Sequence, residues 1–148
     1  MQYDLEKHVK EGSLESVPSG KNIGTDGCAT CVGIIVIDSD GTQWCAHIDN
    51  ALDTRSKLVE TKAAAILLKL PEKAKASKVG YCTTSNDVDA IAIIRQIKDR
   101  YGDKITKPDE KRLSTGIATK GGEIYLLAFK DSVNPLEPGP CNHMAEIK

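Results

Sequence analysis

The sequence is poor in aromatic residues, carries almost no net charge and contains no long apolar run, and each of these features excludes a class of protein. Aromatic residues make up 4% of the 148, too few for a surface on which nucleic-acid bases stack. The formal net charge is −1, and Lys and Arg are spread along the chain, so no basic patch for nucleic acid or an anionic membrane is predicted. We therefore expect no nucleic-acid partner.

The sequence predicts neither a membrane span nor a secretory signal. No apolar stretch approaches the length that crosses a bilayer, and the start MQYDLEKHVKEGSLES is polar where a secretory signal would be apolar. Five cysteines, an odd number, are then expected as free thiols instead of a disulfide framework. These features predict a cytoplasmic protein with no membrane partner, and signal-independent export as an effector is compatible with the same composition.

The residues that are present predict one domain over 1–148. Hydrophobic residues make up 40% of the chain, and Ile, Leu, Val and Ala are expected to fill a single core. The β-branched run CVGIIVID, the turn from Asp38 to Gly41 and the run TQWCAHI predict a β-hairpin. This hairpin lies early in the chain and is its most distinctive feature.

The other elements follow from periodicity and turn chemistry. We expect a short helix near Asp4 to Lys10, a loop over EGSLESVPSGKNIG, a helix from about Thr54 to Leu70, a strand at SKVGYCTT, a helix over SNDVDAIAIIRQIKDRYG with a Ser or Asn cap, a closing hairpin formed by LSTGIAT and EIYLLAF, and a Pro-rich coil from about residue 134. This order predicts an α+β fold, a mixed or antiparallel β-sheet core with flanking helices.

The stretch GTDGCATCVGIIVIDSDGTQWCAHID places three cysteines and a histidine on the first hairpin, and three kinds of site are compatible with it. Cys28 and Cys31 form a C-x-x-C pair, but the second cysteine begins a strand, whereas thioredoxin-like pairs open a helix that lowers the thiol pKa. Cys28, Cys31, Cys45 and His47 have the ligand chemistry of a tetrahedral zinc site, which would make the protein a zinc-stabilised binding module.

The third possibility is a cysteine nucleophile with a histidine base. The hairpin brings Cys31, at the start of one strand, beside His47, near the end of the other. A thiol and an imidazole in this position can form the activated pair of covalent catalysis, and the preceding turn TDGCAT could direct N–H groups at an oxyanion. Either Thr25 or Asp49 could accept a hydrogen bond from the second ring nitrogen.

A structural role is the alternative for each of these residues taken singly. Cysteine before a strand is typical of a packed core, and one histidine on a strand is often a hydrogen-bonded structural group. We expect structural roles for the other four cysteines, which are Cys28, Cys45, Cys82 and Cys141. His8 is expected at the surface.

A Thr six residues before a Cys that begins a strand, with a His on the next strand, resembles the cysteine deamidase superfamily. That superfamily includes chemotaxis receptor glutamine deamidases, the catalytic domains of cytotoxic necrotising factors and protein N-terminal asparagine amidohydrolases. The chain is most similar to the last family, at GTDGCATC, at AHID and at the closing hairpin STGIATKGGEIYLLAFKD. The resemblance extends from about residue 17 to 131. The chain departs from that family in having Gly27-Cys28 inside the motif and in lacking the additional N-terminal segment of the eukaryotic enzymes.

The resemblance implies a cysteine deamidase fold and an enzyme that deamidates a protein N-terminal Asn to Asp. It implies Cys31 as nucleophile, His47 as general base and acid, and Thr25 as the group that orients the imidazole. Asp26 and Asp49 match family positions and are expected to bind the substrate's α-amino group. The partner would be a protein or peptide, and no metal or organic cofactor is implied. Deamidation of an internal Gln is the alternative that shares this site.

Overall fold

The computed structural model describes residues 3–26, 28, 31–49, 56–129, 139–141 and 144–146. These residues form β1 (Tyr3–Leu5), β2 (Lys7–His8), β3 (Leu14–Val17), β4 (Ile23–Thr25), β5 (Val32–Asp38), β6 (Gln43–Ile48), α1 (Ser56–Leu67), β7 (Ala76–Cys82), α2 (Val88–Tyr101), a 3₁₀ turn (Gly102–Lys104), β8 (Ile105–Lys107), β9 (Gly116–Lys120), β10 (Glu123–Phe129), β11 (Gly139–Cys141) and β12 (Met144–Glu146). The predicted α+β class is confirmed, because two sheets of mixed or antiparallel strands combine with two helices.

The strands form two five-stranded sheets and a short pair. The central sheet has the order β3-β6-β5-β7-β8, the second sheet has the order β12-β10-β9-β4-β2, and β1 pairs with β11. The predicted first hairpin is present as β5 and β6, which pair antiparallel, and the predicted closing hairpin is present as β9 and β10.

The central hairpin is buried on both faces because it lies between two other layers. Its side chains alternate between the faces, as in any strand. Val32, Ile34 and Val36 pack with residues of the helices in one core, called here the helix-side core. Ile35 and Ile37 pack with residues of the other sheet in a second core. The continuous β-branched run in the sequence therefore reflects a strand in the middle layer of three.

Two glycines allow the sheets to approach closely. A Cβ at Gly33 would lie 3.1 Å from Ile117 Cγ2, and one at Gly80 would lie 2.8 Å from Ile124 Cγ2. Both glycines are on the face of the central sheet that is turned toward the second sheet. Any side chain there would push the sheets apart.

The predicted helices are present with small differences at their ends. Helix α2 is capped by Asp87, whose carboxylate accepts the Ala90 N–H, where the sequence predicted Ser or Asn. It stops, as predicted, at Gly102, which has φ of 52°. Helix α1 ends at Leu67, before the predicted Leu70, and its predicted start near Thr54 lies outside the described residues.

The predictions for the first 24 residues were wrong in part. The expected helix at Asp4 to Lys10 is replaced by β1 and β2, and part of the expected loop is β3, which pairs with β6 at the edge of the central sheet. The expected C-terminal coil is also wrong for 139–141 and 144–146, which are strands. All these short strands pair with distant parts of the chain, which local periodicity does not report.

Candidate active site

The register of the first hairpin places the predicted site residues at its open end. Gly33 pairs with His47 and Val32 pairs with Ile48, so Cys31 and Asp49 follow as the next facing positions. Alternation puts Cys31, His47 and Asp49 on the same face as Cys45, the face turned toward the second sheet. Cys31 and His47 are thus diagonal neighbours, a relation that typically spans about 7–8 Å between backbones.

His47 is held by a chain of two hydrogen bonds that begins on β4. Its Nδ1 lies 2.8 Å from Thr25 Oγ1, and the Thr25 hydroxyl donates to the Val9 carbonyl at 2.7 Å. A hydroxyl has one proton, and the carbonyl takes it, so Thr25 Oγ1 must accept from an Nδ1–H of the imidazole. The arrangement therefore selects the neutral tautomer in which Nε2 has a lone pair.

The same ring is buried, and its other nitrogen is unbonded within the described part of the chain. His47 is 4% exposed, and Nε2 has no hydrogen-bond partner among the residues that the structure describes. Burial lowers the pKa of His47, and the carboxylates of Asp26 and Asp49 only partly oppose this effect. Near neutral pH the imidazole is uncharged, and its Nε2 is able to take up a proton.

The thiol of Cys31 lies between two carboxyl groups. Cys31 is 3% exposed, and its Sγ lies 3.5 Å from Asp49 Oδ1 and 3.8 Å from Glu11 Oε1. A hydrogen bond to Asp49, together with repulsion between the two carboxylates, raises the pKa of Glu11. The thiol therefore borders two carboxyls, of which Glu11 releases its proton at a higher pH than usual.

Glu11 was not found by sequence reasoning. It lies in the segment between β2 and β3. Two backbone hydrogen bonds hold that segment beside β6, the strand that carries His47. Gly12 N–H donates to the His47 carbonyl at 2.9 Å, and His47 N–H donates to the Ser13 carbonyl at 3.0 Å. Because this is pairing between distant segments, the local sequence around Glu11 contains no signal for it.

The structure places the other predicted carboxylate, Asp26, in a hydrogen bond with His8. Asp26 Oδ1 lies 2.7 Å from His8 Nε2, and Asp26 is 8% exposed. The prediction that His8 is a surface residue was wrong, since its side chain is half-buried against this carboxylate. Of the two residues expected to bind a substrate amine, Asp49 therefore borders the thiol, and Asp26 has His8 as a partner.

The predicted zinc set is not brought together. Within the described residues, the group of three or more residues whose potential ligand atoms all lie within 4.8 Å of one another is Glu11, Cys31 and Asp49. Cys28 and Cys45 lie in the apolar core between the sheets. The C-x-x-C pair is not linked either, because Cys28 and Cys31 are both free thiols.

Part of the predicted oxyanion turn is occupied by structural hydrogen bonds. The N–H of Cys28 donates to the Thr115 carbonyl at 2.9 Å, and the Cys28 carbonyl accepts the Thr84 N–H at 3.0 Å. Cys28 therefore offers no N–H to an oxyanion. Gly27, Ala29 and Thr30 lie outside the described residues.

Two shallow clefts lie on the other side of the central sheet. One, of about 500 Å³, is bordered by Trp44, Pro71 and Arg100, and the other, of about 490 Å³, lies between α1 and α2. The residues packed below them, including Leu67 and Tyr101, belong to the helix-side core. These clefts are separated from Cys31 and His47 by the sheet itself.

Comparison of the chain with protein-family models and with curated proteins finds no match. In the described part of the chain, none of the helices has the length and apolar character needed to cross a membrane.

Proposed function

We propose that this protein is a cysteine-dependent amidohydrolase that converts the side-chain amide of a protein N-terminal Asn to Asp and releases ammonia. The observation that carries the proposal is the state of His47. Its Nδ1–H is bound by Thr25, and its buried Nε2 has no partner among the described residues. Beside it, on the same face of the hairpin, is the thiol of Cys31. An imidazole fixed in this way is prepared to accept a thiol proton.

The proposed reaction proceeds through a thioester. His47 Nε2 takes the proton of the Cys31 thiol, and the thiolate attacks the amide carbon of the substrate. The imidazolium then gives this proton to the departing nitrogen, so that ammonia leaves and a thioester remains. His47 next deprotonates a water molecule that attacks the thioester, and the thiolate is reprotonated as the Asp product leaves. No metal or organic cofactor takes part in these steps.

The two carboxyls beside the thiol support a substrate with a free amino terminus. Glu11 and Asp49 are adjacent carboxyls that repel each other when both are ionised, and a substrate ammonium would relieve this repulsion by binding both. The same binding would release the thiol from its contacts with these carboxyls and let it turn toward His47. Asp26 remains a predicted second carboxylate for the amine, at the cost of its contact with His8.

The partner in this proposal is a cytoplasmic protein or peptide that begins with Asn. Conversion of that residue to Asp adds a negative charge and changes which recognition proteins the amino terminus binds. In the asparagine amidohydrolases that the sequence resembles, this change converts one degradation signal into another. A zinc-binding module is not proposed, because the predicted zinc ligands are not assembled.

The test is mass spectrometry of short peptides incubated with the protein. The peptides begin with Asn or Gln, and each is compared with its N-acetylated form and with a peptide that has an internal amide. We expect conversion of the free N-terminal Asn alone, and none with Cys31→Ala. Cys45→Ala is the matched control, since Cys45 is a buried cysteine on the same face, and it should convert peptide normally per folded molecule.

Each other outcome has a defined meaning. Conversion of an internal Gln would replace this substrate with the internal-Gln alternative and would retain the same catalytic residues. Full activity of Cys31→Ala would refute the assignment of the nucleophile.

A further inference from the structure

The most unusual feature outside the candidate active site is a second pair of cysteines, Cys28 and Cys82. Both are free thiols with no solvent exposure, and both belong to the apolar core between the two sheets. Cys28 lies three residues before Cys31, and Cys82 is the last residue of β7. The catalytic steps proposed above use neither of them.

The sulfur atoms of this pair share the space above Gly33. A Cβ added at Gly33 would lie 3.0 Å from Cys82 Sγ and 3.1 Å from Cys28 Sγ, so both sulfurs cover the same glycine. Interaction with the neighbouring Cys82 thiol is also the leading cause that raises the pKa of the Cys28 thiol. Gly33 pairs with Cys82 in the sheet, and its lack of a side chain is what leaves room for the second sulfur.

The backbone holds the two segments together independently of the thiols. The Cys28 carbonyl accepts the N–H of Thr84, two residues after Cys82, and the Cys28 N–H is bound by the Thr115 carbonyl. A disulfide requires Cα atoms about 4.4–6.8 Å apart. The backbone bonds therefore keep the two segments side by side whether or not the sulfurs are joined.

We propose that Cys28 and Cys82 are a disulfide-forming pair, a modification site that ties the segment carrying Cys31 to the end of β7. The oxidant is a peroxide, and hydrogen peroxide is the simplest. Regulation of turnover by this bond rests on the function proposed above, whereas formation of the bond does not.

The chemistry consumes one peroxide and makes two waters. The thiolate of one cysteine attacks a peroxide oxygen, the O–O bond breaks, and the departing hydroxide takes the proton that the thiol lost. The sulfur of the second cysteine then attacks the resulting sulfenic acid, the S–O bond breaks, and this hydroxide takes the second thiol proton. Together the two sulfurs lose two electrons, and the peroxide is reduced.

Burial sets the conditions under which the pair reacts. Its interaction with Cys82 and its burial raise the pKa of the Cys28 thiol well above its usual range, so thiolate is scarce while the core is closed. Oxidation then depends on local opening of the chain and becomes faster as the pH rises. Closing the gap between the sulfurs to a bond of about 2.05 Å displaces Cys28, three residues before Cys31, and a shift of about 1 Å at a nucleophile can reduce turnover on the order of 100-fold.

The first experiment maps disulfides in the full chain and needs no active enzyme. The unmodified protein and Cys31→Ser are treated with hydrogen peroxide, alkylated, digested without reduction and analysed by mass spectrometry. We expect one peptide pair joined through Cys28 and Cys82, with the loss of two hydrogen atoms, in both proteins. Cys82→Ser should lose this linkage, and Cys45→Ser, which alters another buried thiol of the same core, should keep it.

The outcomes separate the bond from its effect on turnover. A disulfide between Cys28 and Cys31 in place of the one between Cys28 and Cys82 would overturn the pairing. Sulfinic acid without any disulfide would overturn it as well. Peptide turnover is then measured before oxidation, after oxidation and after reduction, with Cys31 modification quantified on the same samples. Turnover that falls with the Cys28–Cys82 linkage and returns on reduction supports regulation, and unchanged turnover at full linkage overturns it. If the protein forms the bond on oxidation but converts no peptide when reduced, only the proposed function is refuted.

Discussion

The two faces of the central hairpin differ in chemistry although they belong to the same two strands. The face toward the helices is apolar along its length, with Val32, Ile34 and Ala46 in the helix-side core. The face toward the second sheet is apolar in its middle and at its open end carries Cys31 and His47 with their hydrogen-bonding neighbours. Alternation along a strand thus lets one hairpin supply stability on one side and chemistry on the other.

Of the changes that test the difference between the two faces, His47→Gln is expected to have the largest effect. It removes the proposed base from the face toward the second sheet. Loss of a positioned base typically lowers turnover about 10²–10⁴-fold. Folding should be little changed, because the amide side chain can still donate to Thr25. Steady-state turnover and thermal unfolding measured on one preparation check both statements, and turnover within twofold of the original would contradict the role of His47.

The pH dependence of the unmodified protein sharpens the same prediction. Burial lowers the folded-state pKa of His47 below 6.5, so the unfolded chain takes up a proton first as the pH falls. The stabilisation associated with neutral His47 is complete above about pH 6.5 and declines as the pH falls from there toward the folded-state pKa. Unfolding free energy measured between pH 8 and pH 5 should show this decline, and His47→Gln should reduce it.

Ile34→Ala tests the opposite face and should give the opposite result. Ile34 is fully buried in the helix-side core, and truncation of such a side chain costs about 2–5 kcal/mol of unfolding free energy. Turnover per folded molecule should be retained, since Ile34 points away from Cys31 and His47. Chemical denaturation together with activity at a temperature where the variant is folded would show this. A loss of activity without a loss of stability would argue against the separation of the two faces.

Thr25→Val is expected to have a smaller effect on both properties. It leaves the Nδ1–H of His47 and the Val9 carbonyl without their partner, each of which is buried. The unfolding free energy should fall by about 1–3 kcal/mol. A loss of the same size in transition-state stabilisation would lower turnover roughly 5- to 150-fold. Thr25→Ser keeps the hydroxyl and is the matched control. Equal activity of the Val and Ser variants would show that Thr25 does not orient the imidazole.

The smallest effect is expected from Glu11→Gln. Asp49 raises the folded-state pKa of Glu11, so the folded state binds the proton more tightly, and stability falls as the pH rises from about 4.5 through the folded-state value. The variant should lack this fall and be slightly more stable near neutral pH. Glu72→Gln, at an exposed site beside the helix-side cleft, should keep the fall and is the control. Thermal unfolding across pH 4 to 7 measures the difference.

The same variant also tests the substrate side of the proposal. If Glu11 binds the substrate ammonium, Glu11→Gln should raise the KM for peptides with a free amino terminus while changing kcat less. An unchanged KM would leave Asp49 as the amine-binding carboxylate beside the thiol.

Much of the fold was predictable because it follows from local patterns. The β-branched run of β5, the turn from Asp38 to Gly41 and the apolar stripes of both helices determine their own structures with little outside help. The first 24 residues carry no such pattern. Their strands form because β2 pairs with β4 and β3 pairs with β6. A strand of two to four residues has too few side chains to give a recognisable pattern in the sequence.

The candidate site was likewise predictable from the sequence only in part. The spacing of Cys31 and His47 on a hairpin is enough to predict that they share one face, since alternation and register follow from the turn. The choice between Thr25 and Asp49 as the partner of the imidazole was open, because it depends on how β4 of the second sheet packs on the first. The structure puts Thr25 Oγ1 at 2.8 Å from Nδ1 and places Asp49 against the thiol.

By itself, the sequence determined the α+β class, the central hairpin and the joint position of its thiol and imidazole, because these depend on residues close together in the chain. Only the tertiary structure decided which nitrogen of His47 is bound, that Glu11 borders the thiol, and that Cys28 lies against Cys82. Each of these contacts joins segments from different sheets or from distant parts of the chain. They are set by the packing of whole layers, and no local pattern of residues encodes that packing.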